Sequence, residues 1–419
     1  MLKQLILENW KSFRHAVLDI DPLTVLIGTN ASGKSNALEA LEFLKRTVEG
    51  REFQSALLGD LTIPSIRGGR EWAALKPETK FTLKILIQGE NNSTDYLYSI
   101  TIETSPQVQL MAESLIRIKQ TVNSEKATEE ILFQTEPPTV SKEIKAKTYN
   151  SDIQGEELFL RQQSIFSQLI LRLSLLPKDF ADRKYMLGFL TVRKTVVNFF
   201  NLAPSPSQMR SYSPLAQQLI SDASNIAGVL AALPDKQKKE IESTLSEYVK
   251  DLPERDIQRV WAEPVGRLNS DAMLYCEEQW IPEQPPMLID ARGMSDGTLR
   301  FIGIIVALMT RPEGSQLIIE DVDSGLHPSR SKLIVKMLRE IGERRKIDIL
   351  VTTHNESLID ALGPEIVPFV VVAHRDKDTG ESKLTLLEDI ENLPKLMASG
   401  SLGKLTANGA IERSLSGNR

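Results

Sequence analysis

The feature that most constrains this chain is the run Gly28-Thr29-Asn30-Ala31-Ser32-Gly33-Lys34-Ser35, a complete GxxxxGK[ST] pattern. It stands where such a loop must stand. Before it, Leu23-Thr24-Val25-Leu26-Ile27 is a continuous apolar run suited to a buried central strand. After it, Leu38, Leu41, Leu44 and Val48 recur at helical spacing, so the segment reads strand, loop, helix. Glycines let backbone N–H groups curl toward an anion, and the helix N-terminus adds its positive dipole end. The pattern therefore predicts a nucleoside-triphosphate cradle built from Gly28, Asn30, Ala31, Ser32, Gly33, Lys34, Ser35 and Asn36. Lys34 is predicted to reach the β- and γ-phosphates, and the Ser35 hydroxyl to ligate Mg²⁺.

A second centre lies far along the chain. Leu317-Ile318-Ile319 is an apolar strand that ends in Glu320-Asp321, followed by Val322-Asp323-Ser324-Gly325-Leu326-His327-Pro328. Carboxylates at a strand end suit a Walker B element, which holds Mg²⁺ and polarises the attacking water. Adjacent acids alone would be a weak signal, since they also mark solvated strand ends. Beside a phosphate loop they gain weight.

Composition narrows the setting. The chain has 50 Lys and Arg against 56 Asp and Glu, a formal net charge of -6, so it lacks the basic excess of a dedicated nucleic-acid binder. Its single cysteine, Cys276, excludes an internal disulfide and fits a reducing compartment. Charges at Lys3, Glu8 and Lys11 break any signal-peptide core, and no run approaches the roughly 20 apolar residues of a membrane span. These features point to a cytoplasmic protein without a membrane partner.

Along the chain, residues 1–133 read as strands, the loop, a helix and an antiparallel meander over 81–87, 96–102 and 114–118. Residues 134–284 read as a mainly helical insertion that begins with an exposed loop over 134–155. Residues 285–396 return to alternating helix and strand, which implies a parallel sheet. The tail, 397–419, reads as disordered or as a partner-docking segment.

The phosphate loop, the run Asp321-Val322-Asp323-Ser324-Gly325-Leu326-His327-Pro328 and the strand ending Val351-Thr352-Thr353-His354 together resemble the RecF, OLD and SMC-like branch of ABC ATPases, often catalogued as AAA-type ATPases. Met294-Ser295-Asp296-Gly297-Thr298 resembles that family's signature segment, which caps the γ-phosphate held by the opposite subunit. The resemblance implies an α/β fold: an ABC-type ATPase head with a mixed central sheet and antiparallel meander, plus a helical insertion. It also implies ATP hydrolysis, with Ser295 and Gly297 acting across a dimer. Carried over by position, Glu320 takes the metal-binding place, Asp321 the catalytic carboxylate and His354 the switch histidine. The wider class has Asp followed by Glu, so the order is inverted and Asp323 is a candidate to share the role. Ser295 and Asp296 also read as an ordinary helix N-cap. For the family's metal-contacting glutamine, Gln168 is the candidate, with Gln162 and Gln163 as rivals and an exposed helix glutamine as the alternative. Lys11 and Arg67 read as nucleotide contacts or solvated cations, and His15, His327 and His374 as structural.

Two classes of function follow from the resemblance. One is a homodimeric or higher-order ATPase that controls a separate effector, such as a nuclease or toxin, in anti-phage defence. The other is a RecF-like ATPase of DNA repair, for which Lys142, Lys145 and Lys147, and Arg183, Lys184, Arg193 and Lys194, are candidate phosphate-backbone contacts. The chain after His354 reads as too short for the extra acidic nuclease domain of OLD enzymes.

Overall fold

Period-two apolar patterning in the first part of the chain becomes one long antiparallel sheet. The computed structural model describes residues 1–120, 127–139, 141–150, 153–175, 183–252, 256–281 and 283–415. They form two compact units: Met1–Asp21, Gly28–Phe199 and Val371–Leu386 make the first, and Pro22–Ile27, Phe200–Val370 and Leu387–Arg419 the second.

In the first unit, β1 (Leu2–Trp10) and β2 (Phe13–Asp19) lead toward β3 (Leu23–Ile27), which belongs to the second unit. The loop then opens α1 (Lys34–Val48), followed by α2 (Phe53–Leu58). Strands β4 (Lys80–Gln88), β5 (Thr94–Glu103), β6 (Gln109–Lys119), β7 (Thr128–Thr135), β8 (Glu143–Asn150) and β9 (Ile153–Leu160) complete an antiparallel sheet ordered β2-β1-β4-β5-β6-β7-β8-β9. Phe81, Leu83, Ile85 and Ile87 show why: every second residue of β4 is buried. On this sheet Trp10 meets Phe81 edge-on at 4.8 Å, and Phe43 of α1 meets Phe81 at 5.5 Å. Helices α3 (Ile165–Leu175) and α4 (Arg183–Val197) close a second aromatic cluster, with Phe166 and Phe189 stacked at 5.1 Å.

The meander is as predicted, but it runs further. Within the stretch 134–155, expected as an exposed loop, the end of β7, all of β8 and the start of β9 are strand, while 136–139 and 141–142 are loop. Ile144 and Ala146 are buried while Lys145 and Lys147 face outward to Glu156, so the lysines disguise a half-buried strand. The helical character expected from Glu156 therefore begins only at α3.

The second unit is built on parallel strands. After β10 (Phe199–Leu202) come α5 (Pro206–Met209), β11 (Ser213–Pro214), α6 (Ile226–Ala232) and α7 (Asp235–Lys250). Strands β12 (Ile257–Val265), β13 (Asp271–Glu278) and β14 (Met287–Asp290) join β11 in a small antiparallel sheet. Then α8 (Asp296–Thr310), β15 (Gln316–Ile319), α9 (Ser331–Arg345), β16 (Asp348–Thr353) and α10 (Glu356–Ala361) alternate as predicted. β15 runs parallel to β16, and β16 parallel to β3, with Val351 opposite Val25. All of β15 and β16 is buried, as expected for parallel strands covered on both faces.

The tail expected to be disordered is helical up to residue 415: α11 (Leu393–Ser399), α12 (Leu402–Ala407) and α13 (Ala410–Leu415). Leu402, Leu405 and Ile411 are buried, and Asp360 of α10 accepts hydrogen bonds from Ser401 Oγ at 2.9 Å and Gly403 N at 2.7 Å. Short apolar triplets amid Gly and Ser hid this docking from a composition argument. Among the described residues no helix is long and apolar enough to cross a membrane.

Candidate active site

The phosphate loop is shaped by positive φ angles. Gly28 stands at φ 141°, Ala31 at 63° and Gly33 at 117°. A Cβ on Gly28 would lie 2.2 Å from the Ala373 carbonyl oxygen, and one on Gly33 would lie 2.7 Å from Ser382 Oγ, so both positions require glycine. Ala373 and Ser382 belong to a hairpin formed by Val370–Arg375 and Ser382–Leu386. From the same hairpin Arg375 Nε donates to the Ala31 carbonyl at 2.9 Å while its NH1 donates to Gly380 O at 2.6 Å. Arg375 was not singled out by the sequence, and it fixes the loop's most strained non-glycine residue.

Lys34 is 8% exposed, its ammonium donating to the carbonyls of Gly28 at 2.7 Å and Thr29 at 3.1 Å, so it lies along the inside of the loop. Ser35 follows in the first turn of α1, half-buried. Ser32 is buried at 1% exposure, and its hydroxyl makes no hydrogen bond to the described residues. An unpaired buried hydroxyl, two glycine-only positions and a helix N-terminus form a cradle whose open donors suit a phosphate chain. Asn36 has a different place from the one predicted: its amide donates to Ser12 Oγ at 2.8 Å, and its carbonyl accepts from Trp10 Nε1 at 2.7 Å. It braces α1 against the first turn of the sheet. Asn30 and Thr29 are exposed at the loop tip.

Lys11 is not a solvated cation. Its side chain is 5% exposed and paired with Glu39, and it donates to the Arg67 carbonyl at 2.9 Å. Arg67 Nε in turn donates to Glu39 Oε1 at 2.7 Å. Burial holds the Lys11 ammonium below its ordinary pKa, against the opposing pull of Glu39.

In the second unit the acids emerge from β15. Glu320 is exposed at the strand end. Asp321 takes a left-handed conformation, φ 45°, with its N–H donating to Thr352 Oγ1 at 2.8 Å, while Val322 N donates to the Thr352 carbonyl at 3.1 Å. That turn brings Asp321 Oδ1 to 3.4 Å from His354 Nδ1, both side chains about half exposed. Two predicted catalytic residues are therefore neighbours. Asp323, considered as a substitute carboxylate, points the other way: it is 9% exposed and accepts a short hydrogen bond from Thr353 Oγ1, whose oxygen also accepts from Asn355 N at 3.0 Å. It organises the turn instead of facing solvent. Thr352 and Thr353 are thus the positioning pair of this site, and a Thr-Thr doublet ending a buried strand was the available signal.

Ser295 is exposed and caps α8, its Oγ accepting from Thr298 N at 3.1 Å, so the N-cap reading is correct as geometry. Asp296 begins the helix. The backbone is closely packed at Gly297, where a Cβ would lie 2.8 Å from Arg330 NH1 and 3.1 Å from the Gly325 carbonyl oxygen. Gln168 is not free to serve a metal. Its Nε2 donates to Leu160 O at 3.1 Å and its Oε1 accepts from Leu160 N at 3.3 Å, closing the turn from β9 into α3. Gln162, a rival, offers its main-chain carbonyl to Phe53 N, and Gln163 offers its own carbonyl to Gln168.

The remaining predictions are also placed. Lys145 and Lys147 are paired with Glu156 and Glu136 on the sheet surface, which weakens them as a phosphate-backbone groove. The side chains of Arg183 and Lys184 lie outside the described residues. His327 Nδ1 accepts from Ser329 N at 3.3 Å and caps a short turn. His374 is buried and 3.0 Å from Thr385 Oγ1, and burial holds its pKa below the ordinary value. His15 is exposed. Cys276 is buried, its thiol pushed up to about 12, first by desolvation and then by Glu278.

Comparison with known proteins is consistent with this geometry. Residues 1–178 match the family described as AAA ATPase domain, and residues 288–360 match the one described as AAA domain, putative AbiEii toxin, Type IV TA system. The chain is 20% identical over 384 residues to an ATP/GTP phosphatase of Helicobacter pylori, covering 90% of this chain and 91% of that protein. It is 30% identical over 116 residues to the DNA replication and repair protein RecF of Rickettsia canadensis, covering 27% of this chain and 28% of that one. Its fold is shared with an SMC head bound to the C-terminal winged-helix domain of ScpA, at TM-score 0.50 and 12% identity, over 92% of this chain and 96% of that one. A second Smc head, with an extended coiled coil and bound to a ScpA C-terminal domain derived from Pyrococcus furiosus, matches at TM-score 0.50 and 10% identity, over 95% and 99%.

Proposed function

Given that this chain is an SMC- and RecF-like ATPase of the ABC type, we propose that it closes as a homodimer on ATP and uses that closure to control an associated effector protein in anti-phage defence. The observation that carries this reading is the exposed Ser295 at the N-terminus of α8, in a chain that holds its own phosphate loop elsewhere. A helix N-terminus facing solvent is a ready anion site, and a second subunit's triphosphate is the anion the fold supplies. Residues 1–133 and 285–396 are the motif-bearing halves of this head.

In this mechanism Gly28, Ala31, Ser32 and Gly33 orient the phosphates through backbone N–H groups and the Ser32 hydroxyl. Lys34 moves from its carbonyl partners to the β- and γ-phosphates. Ser35 and Glu320 are the groups suited to hold Mg²⁺, which when bound neutralises charge on the phosphate oxygens. Asp321 accepts the proton of the attacking water, and His354, beside it, contacts the γ-phosphate and reports its loss. Ser295 and Gly297 close the outer face from the partner. Gln168 is assigned no step in this mechanism, its amide being bonded to the Leu160 main chain.

Support for the effector reading comes from the toxin–antitoxin label on the family matched by residues 288–360. The local similarity to RecF favours a second reading, a DNA-dependent ATPase of repair. Native purification with mass measurement separates them: a co-purifying nuclease or toxin fits the first, and turnover by the isolated chain stimulated by DNA fits the second. The shared core of both has its own test. Lys34→Ala is expected to lower affinity for labelled ATP about a hundredfold, as loss of a charged phosphate contact does, and to abolish the ATP-dependent doubling of mass. ATP binding at the parent's affinity would refute the site.

A further inference from the structure

We infer that Arg210 is a positioning residue for the Ser295 segment, which it holds in the orientation a partner's phosphate requires; this rests on the reading of Ser295 given above. One nitrogen of the Arg210 guanidinium, NH2, donates both to the Met294 carbonyl at 2.8 Å and to Asp296 Oδ1 at 2.6 Å. Those two acceptors belong to the residues immediately before and after Ser295. The arginine therefore grips Ser295 from both sides without touching it.

The support beneath Arg210 is rigid for reasons independent of this grip. Arg210 closes α5, which packs on α8. Met209 is fully buried, and residues 204–209 lie against α8 at Gly303, where a Cβ would stand in ordinary contact, 3.4 Å, with both Met209 Cε and Pro204 Cβ. Behind it, Ala203 N donates to Ser221 O and Ser205 N to Asp222 O, each at 2.8 Å. The strap is thus fixed by packing and main-chain bonds. Its guanidinium is left to act on the loop ahead of α8.

The segment it acts on is anchored at its two ends, by buried Met294 and by the Ser295–Thr298 cap, while Asp296 between them is open. Ser295 Oγ is turned back to Thr298, Asp296 is 66% exposed, and Arg210 is 28% exposed. An ion pair this open contributes little to stability. Its effect is on orientation, which governs how well a helix N-terminus meets an anion. The location fits the same role: Ser205, Arg210, Asp296, Arg300, Glu320 and Asp321 line one cavity of 580 Å³ in the second unit. The grip on the signature segment and the hydrolytic carboxylates therefore share a wall, and a shift of the strap would be felt at both.

Arg210→Ala tests the inference, alongside Arg210→Lys and Ser295→Arg. In the full chain, Arg210→Ala should bind labelled ATP within about twofold of the parent, while turnover at saturating ATP falls about tenfold and the protein concentration for half-maximal turnover rises about tenfold. Arg210→Lys, which keeps charge and one donor, should recover part of both. Parent-like turnover by Arg210→Ala at every protein concentration, with Ser295→Arg inactive, overturns the role of Arg210 and leaves the Ser295 reading standing. Loss of ATP binding together with turnover also overturns it, because the defect would then be global. Normal turnover by Ser295→Arg removes the premise itself.

Discussion

Asp321 concentrates the chemistry of a single residue into its backbone. At φ 45° it occupies a conformation that costs most side chains about 1–2 kcal/mol and that Asp and Asn tolerate best. Its N–H is anchored on Thr352 and its carboxylate lies beside His354. Asp321→Asn should therefore keep the fold, with melting unchanged, while single-turnover phosphate release slows about a hundredfold or more through loss of the carboxylate proposed as base. A large drop in melting temperature would mean the carboxylate is structural. Legibility at this scale followed the type of atom involved. Lys34, Glu320, Asp321 and His354 stand out as candidates because side-chain chemistry leaves a pattern in the sequence. Arg375 was not, because its partner is the main-chain oxygen of Ala31, and any residue could supply that. Asn36 and Gln168 were ambiguous for a related reason, since an amide serves a backbone or Ser12, as theirs do in this structure, as readily as a ligand.

Between elements, Glu113 is a dense polar joint. This fully buried carboxylate on β6 accepts from Tyr98 OH at 2.7 Å, Ser164 Oγ at 2.7 Å, Ile165 N at 2.6 Å and Phe166 N at 3.0 Å. The last two are first-turn donors of α3, so a strand caps a helix that follows it far later in sequence. Burial drives the Glu113 pKa upward, and the four donors oppose that shift. Glu113→Gln replaces one acceptor by a donor that faces other donors, and should cost about 2–4 kcal/mol in denaturant unfolding. Stability equal to the parent's would show that α3 is held by Phe166 and its aromatic neighbours alone. Elements were legible where periodicity was clean, as in β4, α1 and α8. They were obscured where salt-bridged lysines sat on a half-buried strand, as in β8, or where helices were too short to show a period, as in α12.

At the scale of the whole molecule, the two units interleave along the chain: Pro22–Ile27 belongs to the second although the residues on either side belong to the first. The motifs at both ends announced an ABC-type head, but nothing local could show which stretches fold together. Residues 200–419 produced alone would lack β3, leaving β16 with a bare edge where Leu23 to Ile27 should pair. That fragment should be insoluble, and co-production with residues 1–199 should yield a soluble pair that co-purifies. A soluble fragment with a sharp melting transition would contradict this.

The pairing of Val25 with Val351 also has a consequence for synthesis. A nascent chain exposes the apolar strand beside the phosphate loop long before its partner leaves the ribosome, with most of both units made in between. Contacts of such long sequence separation form slowly and leave sticky intermediates. Until Val351 emerges, that strand keeps an unpaired edge open to wrong partners, so the order of synthesis itself sets when the parallel sheet can close.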